Sequence, residues 1–213
     1  MKINLLPGIP DDDNRDYLPE YLKDSEIVVN ENGNNSQVYP KRLEEKKGAL
    51  VDEFVDTWYQ YVPESCNPEK KTPVVFSMHG GLMTGWAQAV YTSWTHIADR
   101  EGFICIFPNA QLRRFWTIEC EDKLYKELSA PNEEGIYMNP VPPIEENHDV
   151  LVVFALIEKL KKEYNIDEER IYMQGMSCGN AMTTMMARHF GNKFAAMEGS
   201  AGPGTTGLMF RED

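Results

Sequence analysis

The sequence predicts an α/β fold with a mostly parallel sheet that is flanked by helices. Two observations support this prediction. Short apolar runs that are typical of buried strands alternate with segments whose apolar residues recur at helical spacing. Each apolar run is also closed by glycine or by a Pro-Asn pair. Alternation of strand and helix is typical of parallel sheets, whose functional sites lie at the carboxyl ends of the strands.

The first part of the chain lacks this regular pattern. Residues 1–50 are polar, are broken by prolines and contain the turn-rich run "NENGNNSQ". They are predicted to form an irregular N-terminal arm with one edge hairpin at most, and residues 51–213 are predicted to form the core. The core begins with residues 52–62, whose partial alternation and β-forming residues indicate a half-exposed strand.

The middle of the chain contains two buried strands and a helix. Residues 74–81, "VVFSMHGG", are predicted to be a strand that leads into a tight loop, and residues 86–101 have helical spacing. Residues 102–110, "GFICIFPNA", are predicted to be the second strand. Residues 111–146 show no clear periodicity, and such a long segment in a compact domain is typical of a functional excursion or lid.

The last part of the chain returns to the alternating pattern. Residues 149–164 are predicted to form a helix that Asn147 caps, and residues 170–174 a third buried strand. A helix over residues 178–190 and a fourth strand within residues 194–202 complete the series. Together these elements give the βαβ rhythm of a parallel sheet with helices on both faces.

Composition and charge exclude several classes of partner. The 213 residues carry a net charge of −13, from 34 acidic and 21 basic residues, which disfavours nucleic acid and anionic membranes. No run reaches the roughly 18 apolar residues of a membrane span. The four cysteines lack CxxC spacing, so neither a zinc site nor a disulfide framework is expected, and no other metal site or cofactor is expected either. The N-terminus lacks a signal-peptide pattern, and a cytoplasmic location is therefore the default expectation unless a leader was removed.

The run "GMSCG", residues 175–179, has the spacing of a nucleophile elbow. A buried strand precedes it and a helix follows it, which is the context in which this pattern places a serine on a sharp turn. The start of the helix favours developing negative charge. We therefore expect Ser177 to be a nucleophile and the N–H of Cys178 to point at an oxyanion.

A second glycine-rich turn follows an earlier strand. The glycines of "HGG", residues 79–81, allow backbone N–H groups to approach a carbonyl oxygen, so this loop is predicted to supply another oxyanion donor. His79 is predicted to shape the loop rather than to accept a proton. Trp116 either lines a substrate pocket or is a packed loop aromatic, and the sequence leaves both interpretations open.

The histidines offer no clear base for Ser177. His189 lies one helix length beyond it, roughly 18 Å along the axis at 1.5 Å per residue. His96 lies in a helical stretch and is interpreted as a bystander. His148 and Asp149 stand at the start of a helix that begins on the expected edge of the sheet, so this pair is predicted to border the site.

Four segments resemble a known family, the polyhydroxybutyrate-depolymerase-like esterases. They are "PVVFSMHGG", "HIADREGFICIFPNA", "HDVLVVFALIEKLKKEYNIDEERIYMQGMSCGNAMTTMMA" and "FAAMEGSAG", and the similarity spans residues 73 to about 203. The family consists of α/β-hydrolases and includes feruloyl and acetyl xylan esterases. The resemblance implies that Ser177 is the nucleophile and that Cys178 and a backbone N–H near Gly81 or Leu82 form the oxyanion hole. It implies esters of carbohydrates or hydroxy acids as substrates.

The chain departs from the family at three points. Cys178 stands where the family commonly has a small residue, and Asn180 stands where it has glycine. Asp149 matches an acidic position that is not part of the family's triad. The family's acid and histidine follow the strand after "FAAMEGSAG", whereas no histidine follows His189. The resemblance therefore implies that the last strands, and the acid and base of the triad, lie outside these 213 residues.

Two alternative functions remain open. The chain is either a catalytically inactive relative or truncated fragment that binds a ligand, or a serine peptidase on the same fold. A parallel sheet without its last strands exposes an apolar edge, which predicts self-association or complementation through that edge. Activity on amides rather than esters would favour the peptidase.

Overall fold

The computed structural model describes residues 42–110, 115–118 and 142–202, and the backbone of three short strands nearer the N-terminus. These strands are β1 (Lys2–Asn4), β2 (Glu26–Val29) and β3 (Gln37–Val38). β1 pairs with β2 in parallel, and β2 pairs with β3 antiparallel. A small separate sheet is therefore present where an irregular arm with one hairpin at most was expected.

The main sheet has six strands. They are β4 (Leu43–Ala49), β5 (Val55–Tyr61), β6 (Thr72–Met78), β7 (Ile104–Pro108), β8 (Ile166–Met176) and β9 (Ala196–Ser200). Their order is β4-β5-β7-β6-β8-β9. The pairs β4–β5 and β5–β7 are antiparallel, and the remaining three pairs are parallel. This sheet confirms the predicted fold class.

The boundary of the N-terminal arm differs from the prediction. Residues 43–49, which were assigned to the arm, form the edge strand β4 and pair with β5 along their whole length. An edge strand with one solvated face needs few apolar side chains. Because β4 carries exposed charged residues, it lacks the apolar pattern from which a strand would be predicted. The core sheet therefore begins before residue 50.

Four α-helices lie in the described part of the chain. They are α1 (Gly85–Tyr91), α2 (Trp94–Glu101), α3 (His148–Glu163) and α4 (Cys178–Phe190). The bounds of α4 match the prediction, and Asn147 caps α3 as expected by accepting from two backbone N–H groups. The single helix predicted over 86–101 was wrong. Thr92 is extended and uses both its N–H and its hydroxyl to cap the carbonyl of Gln88, at 3.0 and 2.9 Å, so α1 ends there.

Two apolar clusters cover the two faces of the sheet. Because strand side chains alternate, Phe76 and Ile106 pack on the face with α3 and α4, while Val75 and Cys105 pack on the face with α1 and α2. All of these side chains are at most 5% exposed. Burial of a large apolar side chain stabilises the folded state by about 1.5–3 kcal/mol. The packing on both faces therefore holds the strands, and the loops at their ends, in place.

The parallel strands bring several loops to one edge of the sheet. β6 and β8 are neighbours, with Met78 paired to Gly175, so the turn after β6 lies beside the turn after β8. β9 lies on the other side of β8, with Ser200 paired to Met176. The predicted lid falls mostly outside the described residues, which include only 115–118 and 142–146 of it.

Candidate active site

The turn between β8 and α4 has a strained serine at its tip. Ser177 has φ 56° and ψ −116°, a sparsely populated conformation that costs about 1–3 kcal/mol. A methyl group at Gly175 would overlap the carbonyl oxygen of Gly179, and one at Gly179 would overlap that of Met78. Glycines at these two positions are therefore required by close backbone contacts, as the sequence pattern predicts.

The turn after β6 lies against the first residue of α4. The N–H of Met83 donates to the carbonyl oxygen of Gly80 (3.1 Å), and Leu82 has a left-handed φ of 61° within this turn. A methyl group at Gly81 would lie 3.0 Å from the Sγ of Cys178 and 2.9 Å from the ring of Phe115. The structure therefore brings Gly81 and Leu82 to the same place as Ser177 and Cys178.

The sulfur of Cys178 links the two turns. Burial raises the pKa of this thiol, and the N–H of Gly81, which donates to the sulfur, has a smaller opposing effect on that pKa. The thiol is therefore largely protonated at neutral pH and acts as a hydrogen-bond acceptor and packing group. Gly81 and Cys178 therefore lie side by side at the elbow.

His79 is engaged within the turn after β6. It is fully buried (0% exposed). Its Nδ1 donates to the carbonyl oxygen of Gly80 (2.7 Å), and its Nε2 accepts from the N–H of Ala110 (3.0 Å). Each ring nitrogen has a backbone partner, which fixes the tautomer. The imidazole therefore joins the turn after β6 to the residues that follow β7 through hydrogen bonds.

Trp116 and Asp149 hold a short segment beneath that turn. Trp116 is 1% exposed, its Nε1 donates to the carbonyl oxygen of His79 (2.7 Å), and its ring lies 4.6 Å from the imidazole. Asp149 accepts from the N–H of Thr117 (2.7 Å), and Asn147 donates to the Thr117 carbonyl (2.8 Å). Trp116 therefore packs in the core and touches the turn after β6 through the backbone of His79.

His148 faces the start of β5 rather than the elbow. Its Nε2 lies 2.6 Å from a carboxylate oxygen of Asp56, and its Nδ1 lies 3.2 Å from one of Asp52. Asp52 has a pKa below its ordinary value, chiefly because the N–H of Phe54 donates to it and also because of His148. β5 is three strands from β8 in the sheet order, about 14 Å at the usual strand spacing.

Sequence reasoning missed the residues that support the elbow from below. The N–H of Ser177 donates to the carbonyl oxygen of Ser200 (3.0 Å), the last residue of β9. Gln174 in β8, a buried polar residue, joins this support by donating to Ser200, and its oxygen accepts from the buried Ser77 in β6. The available signal was a polar residue inside each of two otherwise apolar strands, since a buried polar side chain requires a partner.

The fold and the strained serine define the class of this protein. A mostly parallel sheet with helices on both faces, and a nucleophile-type turn between β8 and α4, make it an α/β-hydrolase. A structure of a thermostable esterase matches this chain with a TM-score of 0.53 at 20% identity, over 80% of this chain and 46% of that one. The chain belongs to the Esterase PHB depolymerase family, whose model matches residues 57–205.

Similar sequences occur among characterised esterases. The chain is 29% identical over 147 residues to a bifunctional acetylxylan esterase/xylanase of Neocallimastix patriciarum, covering 69% of this chain and 18% of that protein. It is 27% identical over 162 residues to a poly(3-hydroxybutyrate) depolymerase of Ralstonia pickettii, covering 70% and 30%. The chain therefore spans less than a third of the length of either relative. None of the helices in the described ranges has the length and apolarity that a membrane crossing requires.

Proposed function

We propose that this chain carries the nucleophile and oxyanion hole of a serine esterase that hydrolyses carboxylic esters. One observation carries the proposal: Ser177 stands in a strained conformation at the start of α4, with the turn after β6 against it. Membership of an esterase family supports the ester as the bond that is cleaved. The names of the relatives favour acetylated carbohydrates and hydroxy-acid polyesters as the substrate class.

The proposed reaction is a two-step acyl transfer. The Oγ of Ser177 attacks the ester carbonyl, and the alcohol leaves with the proton that the base removed from the serine. Water then releases the acid from the acyl-enzyme. The oxyanion of each tetrahedral intermediate is held by the N–H of Cys178, aided by the positive end of the α4 dipole.

The second oxyanion donor in this proposal is a backbone N–H of the turn after β6, from Gly81 or Leu82. Gly81 lies against the first residue of α4, since a methyl group there would be 3.0 Å from the Cys178 sulfur. Leu82 follows directly in the same turn, and its left-handed φ of 61° is the kind of backbone strain that concentrates at functional sites. Each such donor contributes about 3–4 kcal/mol to the transition state in comparable enzymes.

The base in this proposal is a histidine other than the four in this sequence. His79 and His148 use both ring nitrogens in other contacts. His96 is exposed on α2, and His189 lies close to the far end of α4 from the serine. The same observation favours a second candidate function, a catalytically inactive relative that binds an ester.

A fluorophosphonate probe separates these two functions. We expect intact-mass spectrometry to find one adduct on a protein that contains this chain together with the proposed base. The Ser93→Ala variant of that protein, a matched control at the start of α2, should also give one adduct, and the Ser177→Ala variant none. Hydrolysis of p-nitrophenyl acetate should follow the same pattern. Absence of an adduct on the protein that contains the base would contradict the esterase proposal, whereas binding of an ester analogue without an adduct would support the binding protein. Turnover of p-nitroanilides but not of esters would indicate a peptidase.

A further inference from the structure

A chain of polar side chains runs beneath the elbow from α1 to β9. Gln88 Nε2 donates to Ser77 Oγ (3.0 Å), and Ser77 Oγ donates to Gln174 Oε1 (2.9 Å). Gln174 Nε2 donates to Ser200 Oγ (3.3 Å), and Ser200 Oγ donates to the carbonyl oxygen of Gly175 (3.4 Å). Gln88 and Ser77 are fully buried, so the two hydrogen bonds of Ser77 do not exchange with solvent as surface contacts do.

Trp94 determines which atoms donate and which accept in this series of hydrogen bonds. Its indole Nε1 lies 3.2 Å from Gln174 Oε1, and an indole N–H can only donate. The oxygen of Gln174 must therefore face Trp94 and Ser77, which leaves the amide nitrogen facing Ser200. Since the Ser200 hydroxyl accepts from that nitrogen, its own proton goes to Gly175. In this arrangement Ser200 accepts from Gln174 at 3.3 Å and donates to Gly175 at 3.4 Å.

The same Ser200 holds the backbone of the nucleophile. Its carbonyl oxygen accepts from the N–H of Ser177 (3.0 Å), one step beyond the last register pair, Met176 with Ser200. The ladder between β8 and β9 thus continues into the turn. Because Ser177 has φ 56°, a conformation that is unfavourable for serine, it requires contacts of this kind to persist.

We propose that Ser200 and Gln174 are positioning residues that hold Ser177 in its strained conformation. Gln174 orients Ser200 by its amide nitrogen, and Ser200 fixes the turn at two points, the carbonyl of Gly175 and the N–H of Ser177. Neither side chain contacts the reacting atoms in this scheme. The expected effect on kcat rests on the proposed function of Ser177. The expected effect on the backbone conformation of Ser177 does not.

The test combines a backbone measurement with a kinetic one. Ser200→Ala removes the hydroxyl, Ser200→Thr retains it, and Gln174→Met keeps the side-chain length without hydrogen bonds. The matched control is Ser77→Ala, which removes a hydrogen bond to the same Gln174 oxygen while Trp94 still holds it. Amide hydrogen exchange at Ser177 is followed by nuclear magnetic resonance, and kcat and KM are measured with p-nitrophenyl acetate on samples that have been titrated for folded protein.

We expect Ser200→Ala and Gln174→Met to speed exchange of the Ser177 amide and to lower kcat, each about tenfold, with KM unchanged, because the net effect of one hydrogen bond corresponds to roughly that factor. Ser200→Thr should show the wild-type exchange rate and the wild-type kcat. Ser77→Ala should lower the unfolding temperature and leave both the exchange rate and kcat unchanged. Wild-type exchange and kcat in Ser200→Ala, or equal effects in Ser77→Ala, would overturn the proposal. Turnover is measured on the protein that also contains the base. If that protein shows none, the esterase proposal fails, and the exchange rates alone still decide whether Ser200 positions Ser177.

Discussion

At the scale of single residues, Gly175 leaves no space for a side chain. An added methyl group would overlap the carbonyl oxygen of Gly179 and lie 2.5 Å from the hydroxyl of Thr183. The overlap is with backbone, which cannot rotate away, so Gly175→Ala is expected to lower the free energy of unfolding by about 3 kcal/mol. Chemical denaturation monitored by tryptophan fluorescence measures this change.

Gly191 supplies the matched control for that substitution. It has φ −54° and ψ −30° at the end of α4, and nothing lies within 4 Å of an added methyl group. Gly191→Ala should therefore raise the free energy of unfolding by about 0.4–1 kcal/mol through the unfolded state. Equal effects at the two glycines would show that the crowded geometry assigned to the elbow is wrong.

At the scale of elements, His148 joins the first turn of α3 to the start of β5. Its side chain and that of Asp56 are 8% and 6% exposed, and they meet at 2.6 Å. His148→Ala would remove one hydrogen-bond partner of the buried Asp56 carboxylate, which keeps the N–H of Leu50, and such a loss costs about 1–3 kcal/mol. His96, exposed on α2, is the control, and His96→Ala should change stability by less than about 0.5 kcal/mol. Urea denaturation of both variants at pH 7 measures the difference, and a His148→Ala protein as stable as wild type would contradict it.

Local patterns predicted the elements whose signals lie within a few residues. The elbow, the bounds of α4 and the cap of α3 follow from short motifs, because glycine spacing and a capping side chain act over one turn. The edge strand β4 was missed because its pairing with β5 involves residues distant in sequence. The break after α1 was missed because the apolar spacing continues across Thr92, where the hydroxyl cap replaces the helical bond.

The same distinction decides which parts of the candidate site could be predicted from the sequence. Ser177, Cys178 and the turn after β6 could be named from the sequence, since each lies at the end of a recognisable strand. The support from Ser200 and the contact between Gly81 and the Cys178 sulfur could not, because both join segments that only the sheet order brings together. The partners of His148 were hidden for the same reason, since Asp56 lies 92 residues earlier in the chain.

At the scale of the whole molecule, the two edges of the main sheet differ. β4 closes one edge as an antiparallel strand that carries exposed charged residues. β9 is the last strand at the other edge in the described part of the chain, and its exposed residues include Ala196 and Gly199. Unpaired N–H and C=O groups on such an edge are a template for another strand. Charged side chains protect the β4 edge, and the β9 edge has fewer of them.

This asymmetry predicts that the 213-residue chain self-associates through β9. Two β9 strands related by a two-fold axis would pair antiparallel and bury both edges. Sedimentation velocity over a concentration series should show a dimer in the wild type, and Ala196→Lys should shift it toward monomer by placing a charge on the edge. Ala49→Lys introduces the same charge on exposed β4 and should leave the dimer intact. A wild-type chain that stays monomeric at all concentrations would contradict this prediction. A dimer that Ala49→Lys disrupts and Ala196→Lys does not would show that the contact lies at β4 instead.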